Sequence, residues 1–595
     1  MCGIMGYIGE ENAAEIIING LEELEYRGYD SAGLAVFDGK ELKIVKTLGS
    51  PSRLKSRAKN LRGSVGIGHT RWATHGAATE ANAHPHAGEK GLFTVVHNGI
   101  IENYLELKSE LDGVKFKSDT DTEVVAQLLE KQYSGDLKGT VSGVLKTLKG
   151  SYAFGIFCRD YPDTIICARK SSPLFVGISS SAAYLASDIL PISEVCSRVF
   201  RLNDGEIGII QKDSLRVYDT DGCRIKKSEV KIKAYDRTAD KGGYEHFMLK
   251  EIMEQPSAVR RTLDGISKND RLSIKNIRWS ADEIKKISSV RFVACGSAYH
   301  AGLTGAYASE RLFRRPSQAC TASEFRYMHP CLDENSLVVI ISQSGETADT
   351  LAALRIAKES GAKTVSIVNV ENSTIAAESD CVIMTRAGRE IAVATTKAYS
   401  AQLAVIYSLI IQLAVSAEEL NRKEAAGLFA ELTKIPDKIE EILLHFNAEK
   451  YAQAITESNY ICFIGRGTDF SSAQEASLKL KEISYIPCEA YPAGELKHGT
   501  ISLIDKNSTV IALCCSSETK SKTESNINEA AARGANIISV TDTDGSGEIT
   551  VPKTHDLFYP MLEIIPLQLI AYHSAKIRGC EIDKPRNLAK SVTVE

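Results

Sequence analysis

A chain of 595 residues, 43% hydrophobic and 25% charged, is too long for one core and too well balanced for a disordered or fibrous protein. Its formal charge of −5 excludes a general electrostatic pull toward nucleic acid or anionic membrane. Fourteen cysteines without a C-x-x-C pair argue for reduced, intracellular thiols and against a disulfide framework or a zinc ribbon.

Cys2 directly follows Met1, and methionine is normally trimmed ahead of a small residue. Trimming leaves a thiol and a free α-amine on one residue, with ordinary pKa values near 8.5 and 8. Nucleophile and base are then built into a single amino acid. An inert cysteine permits the same trimming, so the rest of the chain must decide. The first residues carry no basic segment and no long apolar run, so no signal peptide is expected.

To about residue 235, short β runs at 65–69, 93–97, 152–158, 164–168 and 174–178 are interrupted by helical apolar spacing at 13–24 and 122–129. That pattern predicts α+β layers. Arg71-Trp72-Ala73-Thr74-His75-Gly76 and His97-Asn98-Gly99 each follow a predicted strand, where scaffolds present reacting groups. A cysteine attacking an amide creates an oxyanion, and the Asn98 amide with the Gly99 N–H makes a suitable pair of donors. Asn-Gly is also a common hairpin turn. Arg71 can fork onto a carboxylate, and Asp121, at a helix start, can meet an ammonium or simply cap. Five histidines lie from His69 to His97, with His75, His84 and His86 between them. Their spacing matches no zinc pattern, so no metal is expected.

These strings, with Cys2-Gly3-Ile4, Tyr26-Arg27-Gly28-Tyr29-Asp30-Ser31-Ala32-Gly33, His69-Thr70 and Thr120-Asp121-Thr122-Glu123, resemble the class II (N-terminal nucleophile) glutamine amidotransferase domain. The resemblance implies an αββα fold in which Cys2 hydrolyses glutamine to glutamate and ammonia. It implies that Arg71, Thr74, His75 and Asp121 hold the amino-acid end of glutamine, that Asn98 and Gly99 form the oxyanion hole, and that Trp72 helps gate the ammonia route.

Polar residues and Gly242-Gly243 near 239–243 suggest a linker, and the run after it reads as helical. From about 285, apolar strands at 290–294, 337–341 and 365–368 alternate with helices, which indicates parallel sheets covered on both faces. The pattern repeats at an offset of about 170 residues, with strands at 460–464, 510–513 and 537–540, and reads as a duplicated domain. The stretch 398–417 approaches membrane-span length, but Gln402, Ser408 and Gln412 favour a core helix. The basic run 311–315 reads as a solvated helix end. Ser342-Gln343-Ser344-Gly345-Glu346-Thr347, between strand and helix, offers hydroxyls and N–H groups to one phosphate, or is only a serine-rich cap. There is no Walker lysine and no dinucleotide fingerprint, so a sugar phosphate fits better than a nucleotide.

Glu482 with Lys479 at i−3, His498 in Gly494-Glu495-Leu496-Lys497-His498-Gly499, and Lys590 in the terminal Arg586-Asn587-Leu588-Ala589-Lys590 complete a second resemblance. The repeated unit resembles tandem sugar isomerase (SIS) domains, and the whole chain resembles the bacterial-type glutamine:fructose-6-phosphate aminotransferase (isomerising) family. The expected fold is therefore an N-terminal α+β domain followed by two α/β doubly wound SIS domains. The expected divisions are a glutaminase at 1–238, a linker at 239–248, SIS subdomains at 249–425 and 426–580, and a catalytic tail at 581–595.

The family resemblance also implies roles. His498 opens the sugar ring, Lys590 forms a Schiff base with the ketone, and ammonia replaces it. Glu482, with Lys479, moves a proton from C1 to C2. Ser297, Ser342, Gln343, Ser344 and Thr347 would bind phosphate and sugar hydroxyls, and Val393 and Thr395 would line the site. Substrates would be L-glutamine and D-fructose 6-phosphate, with no cofactor, no metal, no nucleic acid and no membrane. A cytoplasmic homodimer is expected. The chain departs from the family's pattern at Ala298, Thr395 and Thr500, which bears on the phosphate contacts. Alternatives are amination of a different phosphorylated ketose, or a module that only senses sugar phosphates. A sensor has no need of Glu482, His498 and Lys590 together.

Overall fold

The computed structural model describes residues 2–72, 75–230, 240–269, 271–543 and 547–593. The chain divides into two units, Met1–Thr238 with Ala589–Glu595, and Ala239–Leu588.

The first unit holds two seven-stranded antiparallel sheets. One runs in the order Arg198–Arg201, Phe175–Ile178, Ala182–Ala186, Gly3–Gly9, Val65–Arg71, Ser31–Phe37, Leu42–Leu48. The other runs Arg224–Ile225, Ser214–Asp219, Glu206–Gln211, Ile165–Lys170, Gly150–Cys158, Phe93–Ile101, His86–Ala87. Alternation along Gly3–Gly9 shows how the layers stack. Ile4 and Ile8 join Val96, Phe157 and Leu185 in a core between the sheets, whereas Met5 and Tyr7 pack with Ile17 and Leu21 of helix Ala13–Glu23. On the far side, helices Asp121–Gln132 and Leu137–Thr147 bury Val124, Leu128, Val141 and Val144 against Phe93, Val95 and Phe154. The result is the expected αββα sandwich.

The second unit holds two five-stranded parallel sheets with the same strand order. Numbering each set along the chain, the order is 2-1-3-4-5, with Ser317–Thr321, Ser289–Ala294, Ser336–Ser342, Lys363–Val368, Cys381–Met384 in one sheet. The other contains Cys488–Pro492, Tyr460–Gly465, Ser508–Leu513, Asn536–Thr541, Ile549–Thr550. In each copy a glycine at positive φ stands two residues past the first strand, Gly296 at 56° and Gly467 at 57°, and caps a long helix. The shared conformation confirms the duplication locally, since only glycine takes it without strain. The 20-residue helix Lys397–Ser416 is mostly buried and packs on Ser297–Leu312 and Gln255–Gly265, as a core helix does. Pro560–Ile577 takes the equivalent place on Thr468–Ser484 in the second copy.

Candidate active sites

Cys2 leads directly into the central strand Gly3–Gly9 of the first sheet. A Cβ on Gly3 would lie 2.7 Å from Thr70 Cγ2 and 2.9 Å from Leu24 Cβ, so only glycine lets this strand sit so close. Cys2 Sγ accepts from the Trp72 N–H at 3.4 Å. Desolvation pushes the thiol above its usual range, so it needs a base to become a nucleophile. Once Met1 is removed, the α-amine of the same residue can serve.

The Asn98 amide donates from Nδ2 to Cys2 O at 3.0 Å. His69 Nε2 contacts Asn98 Oδ1 at 3.1 Å and His97 O at 2.8 Å. Both partners are acceptors, so the ring proton belongs on Nε2, and the orientation of the Asn98 amide follows from it. Asn98 and Gly99 lie inside strand Phe93–Ile101, not in a hairpin turn. Gly99 has φ 144°, and a Cβ there would fall 2.1 Å from Ser151 O, so the site requires glycine.

One pocket is lined by Cys2, Arg71, Trp72, His75, Gly99 and Asp121 together with His84, His97, Thr120 and Thr122. Thr74 lies outside the described residues. Arg71 donates to the carbonyls of His75, Gly76 and Ala77, so its guanidinium ties down the loop as well as facing the pocket. Asp121 Oδ2 accepts from Ile101 N at 2.8 Å, which locks the helix start to the strand carrying Asn98. The lining roles of His84, His97, Thr120 and Thr122 were not read from the sequence. The strings around His97 and Asp121 marked their neighbourhood, but sequence does not show which side of a strand each residue faces.

The histidines are stacked and buried. His69 and His84 rings lie 4.0 Å apart, and His84 and His86 rings 4.7 Å. His84 Nδ1 accepts from the His97 N–H at 3.2 Å, and His86 Nε2 lies 3.1 Å from Thr120 Oγ1. Burial lowers all four values, His69 to about 3. Each ring is neutral when folded but takes a proton near pH 6.5 when unfolded. Stability from these rings is therefore complete above about pH 6.5 and declines as pH falls toward the folded values. His69 alone removes about 2 kcal/mol between pH 6.5 and 5. Amide protection factors in Val65–Arg71 and Phe93–Ile101 should fall over that interval, and unchanged protection at pH 5 would contradict the assignment.

In the second unit, strands Ser289–Ala294 and Ser336–Ser342 are adjacent and parallel, so the segments leaving them emerge side by side at the switch point of the sheet. One segment begins helix Ser297–Leu312, and the other is the loop before helix Ala348–Glu359. Within that loop Ser342 Oγ accepts from Gly345 N at 3.1 Å and lies 3.2 Å from Thr347 Oγ1. Gly345 has φ 65°, and a Cβ there would strike Ser373 Oγ at 2.1 Å. Buried Glu346 accepts from Thr374 N and Oγ1 at 2.7 and 2.6 Å, which pins the loop. Gln343, Ser344 and Thr347 remain half-buried around a helix N-terminus suited to phosphate.

Lys479 Nζ, on helix Thr468–Ser484 of the second copy, donates to Ser297 Oγ at 3.0 Å and to Glu482 Oε2 at 2.5 Å. The pair that the sequence placed on one helix face is thus delivered to the first copy's sheet edge. Burial works against the ammonium, but Glu475 and Glu482 outweigh it and hold Lys479 above its ordinary value. Val393 N donates to Asp583 O at 3.0 Å, so the segment 391–396 meets the chain's C-terminal stretch. Glu390 accepts from Thr396 N and Ala398 N, each at 3.0 Å, and shapes the segment holding Thr395.

Within the second unit, His498 is placed elsewhere. His498 is exposed on the turn Ala493–His498, which follows strand Cys488–Pro492. Helix Thr468–Ser484 begins at that same sheet edge and runs away from it, so Glu482 lies about 20 Å further along the helix axis. One chain therefore does not bring His498 to its own Glu482. Lys590 is half-buried in the tail belonging to the first unit.

The second copy's equivalent loop is already filled. Asp469 Oδ2 accepts from Cys515 N and Ser516 N, each at 3.2 Å, where a phosphate would otherwise be received. The corresponding residue of the first copy is Ala298, which leaves its loop open.

Comparison with known proteins places the chain in a family. A glutamine amidotransferase domain matches residues 56–215, and an SIS domain matches twice, at 283–412 and 454–576. Glutamine–fructose-6-phosphate aminotransferases (isomerizing) from Caldanaerobacter subterraneus and Clostridium tetani are each 46% identical, over 100% of both chains. The chain belongs to this family. The C-terminal domain of glucosamine-fructose-6-phosphate aminotransferase from Francisella tularensis, a solved structure, is 38% identical with a TM-score of 0.56, covering 58% of this chain and 100% of that one. Family membership accounts for the two kinds of site in one chain, a thiol in the αββα unit and a sugar-phosphate cradle in the duplicated one.

Proposed function

We propose that this enzyme converts D-fructose 6-phosphate and L-glutamine to D-glucosamine 6-phosphate and glutamate, the entry reaction of amino-sugar synthesis. The observation that carries the reading is the pairing of Cys2 with Asn98 in one unit and of Lys479 with Glu482 beside a phosphate-type loop in the other. Cys2 attacks the glutamine amide while Arg71, Thr74, His75 and Asp121 hold the amino-acid end, and Asn98 and Gly99 receive the oxyanion. Trp72 helps gate the ammonia that results. In the second unit Ser297, Ser342, Gln343, Ser344 and Thr347 hold the sugar phosphate, lined by Val393 and Thr395. Lys590 forms the Schiff base and Glu482 carries the C1 proton to C2.

His498 opens the ring, and its distance from Glu482 within one chain supports a homodimer in which each chain lends His498 to the other. The protein is read as cytoplasmic. The glutaminase, 1–238, is joined through 239–248 to SIS subdomains at 249–425 and 426–580, with the tail at 581–595.

Product analysis with fructose 6-phosphate and glutamine tests the reaction, and Lys590→Ala tests the tail. That variant should lose amino-sugar formation by about 10³-fold or more while still releasing glutamate, since the Schiff base is a covalent step that no other group replaces. Full amino-sugar formation by Lys590→Ala would remove the lysine from the mechanism.

A further inference from the structure

Helices Ser297–Leu312 and Thr468–Ser484 hold equal places in the two copies and pack on one another. His300 therefore corresponds to Ser471, and Thr304 to Glu475. The contacts His300–Glu475 and Ser471–Thr304 are one contact seen from the two sides of a pseudo-twofold axis. On one side two hydroxyls 2.6 Å apart close the packing. On the other, toward Ser297 and Lys479, stands an imidazole–carboxylate pair with Nδ1 2.8 Å from Oε2. The Glu475 side chain is 0% exposed and that of His300 13%. Burying a carboxylate is costly unless it is paired, and two hydroxyls suffice at the symmetric place, so packing alone does not account for the pair.

The second oxygen of Glu475 points the same way. Oε1 lies 3.5 Å from Lys479 Nζ, which in turn reaches Glu482 and Ser297. The charged and titratable groups facing this cluster come from four elements. Glu475, Lys479 and Glu482 sit on Thr468–Ser484, and His300 on Ser297–Leu312. Glu390 precedes Lys397–Ser416, whose Tyr399 also faces Glu475, and Glu563 of Pro560–Ile577 lies beyond Tyr399. By the same exchange, the counterpart of Lys479 is Ala308, so this polar chain exists on one side only.

We propose that His300 is a positioning residue for the isomerase reaction. Its Nδ1–H fixes Glu475, Glu475 anchors Lys479, and Lys479 holds Glu482 aimed at the sugar. The assignment rests on the proposed roles of Lys479 and Glu482. Without the imidazole, Glu475 loses its donor and draws Lys479 toward itself, and Glu482 loses its anchor.

The test uses the full chain, with kcat and KM for fructose 6-phosphate isomerisation measured separately for each variant. His300→Ala should lower kcat about tenfold with KM within about twofold. His300→Asn, whose amide nitrogen can donate from nearly the place of Nδ1, should recover most of the lost kcat. In a double-mutant cycle, His300→Ala should add little to Glu475→Gln, because both cut the same chain. An unchanged kcat or a matching rise in KM in His300→Ala, no recovery in His300→Asn, or fully additive losses would each overturn the assignment. Absence of isomerisation in the unaltered enzyme would instead sink the reading of the site itself.

Discussion

Cys2→Ala is expected to abolish glutamine-dependent amino-sugar formation, by about 10³-fold or more, while isomerisation of fructose 6-phosphate persists within about twofold. The expectation follows from where the chemistry lies. Cys2 Sγ, the Trp72 N–H and the Asn98 amide belong to the αββα unit, whereas Lys479, Glu482 and the Ser342–Thr347 loop belong to the duplicated unit. Removing the sulfur leaves His69 and Asn98 in place but nothing to attack the amide. Glutamate, glucosamine 6-phosphate and glucose 6-phosphate, followed in one assay, separate the two activities. Full glutamine-dependent synthesis by Cys2→Ala would refute the two-site account. The same loss should appear in any chain that keeps Met1, because its Cys2 amine is locked in a peptide bond, and intact mass identifies that species.

Much of this arrangement was legible in the sequence, for reasons that differ along the chain. The duplication showed because strands such as Ser336–Ser342 and Ser508–Leu513 are buried on both faces and read as apolar runs. The edge strand Ser317–Thr321 was missed, since Ser-Gln-Ala-Cys-Thr has no apolar pattern and gains its partner only from Ser289–Ala294. Asn98 and Gly99 were legible as donors, but Asn-Gly equally suits a turn, and only pairing with Ala153 and Tyr152 decides for strand. The i, i+3 spacing placed Lys479 and Glu482 on one face. It could not show that Ser297 and His300 of the other copy meet that face, because these contacts join residues 182 and 175 positions apart. The substitution at Ala298 looked like a lost hydroxyl. Beside Asp469 in the second copy, it is also the side chain whose smallness keeps one phosphate loop open.

Mixing two inactive variants should restore activity, and this outcome decides how a complete site is assembled. On the proposed roles, Glu482→Gln removes the proton carrier and His498→Ala the ring-opening group, so each variant alone should fall by about 10²-fold or more. Glu482 sits near the far end of Thr468–Ser484 and His498 just past strand Cys488–Pro492, about 20 Å apart by helix length in one chain. If each site draws His498 from the partner, a mixed dimer holds one site with both groups intact and one with neither. Random 1:1 assembly makes half the dimers mixed, so co-expression should recover roughly a quarter of unaltered activity. If each chain completed its own site, every site would lack one group and mixing would recover nothing. The assay is best run as isomerisation, because it bypasses Cys2 and the ammonia step. A recovered quarter would also explain how a duplicated fold with one loop filled by Asp469 still uses both of its sheet edges, one to bind the sugar and one to present His498 to a neighbour.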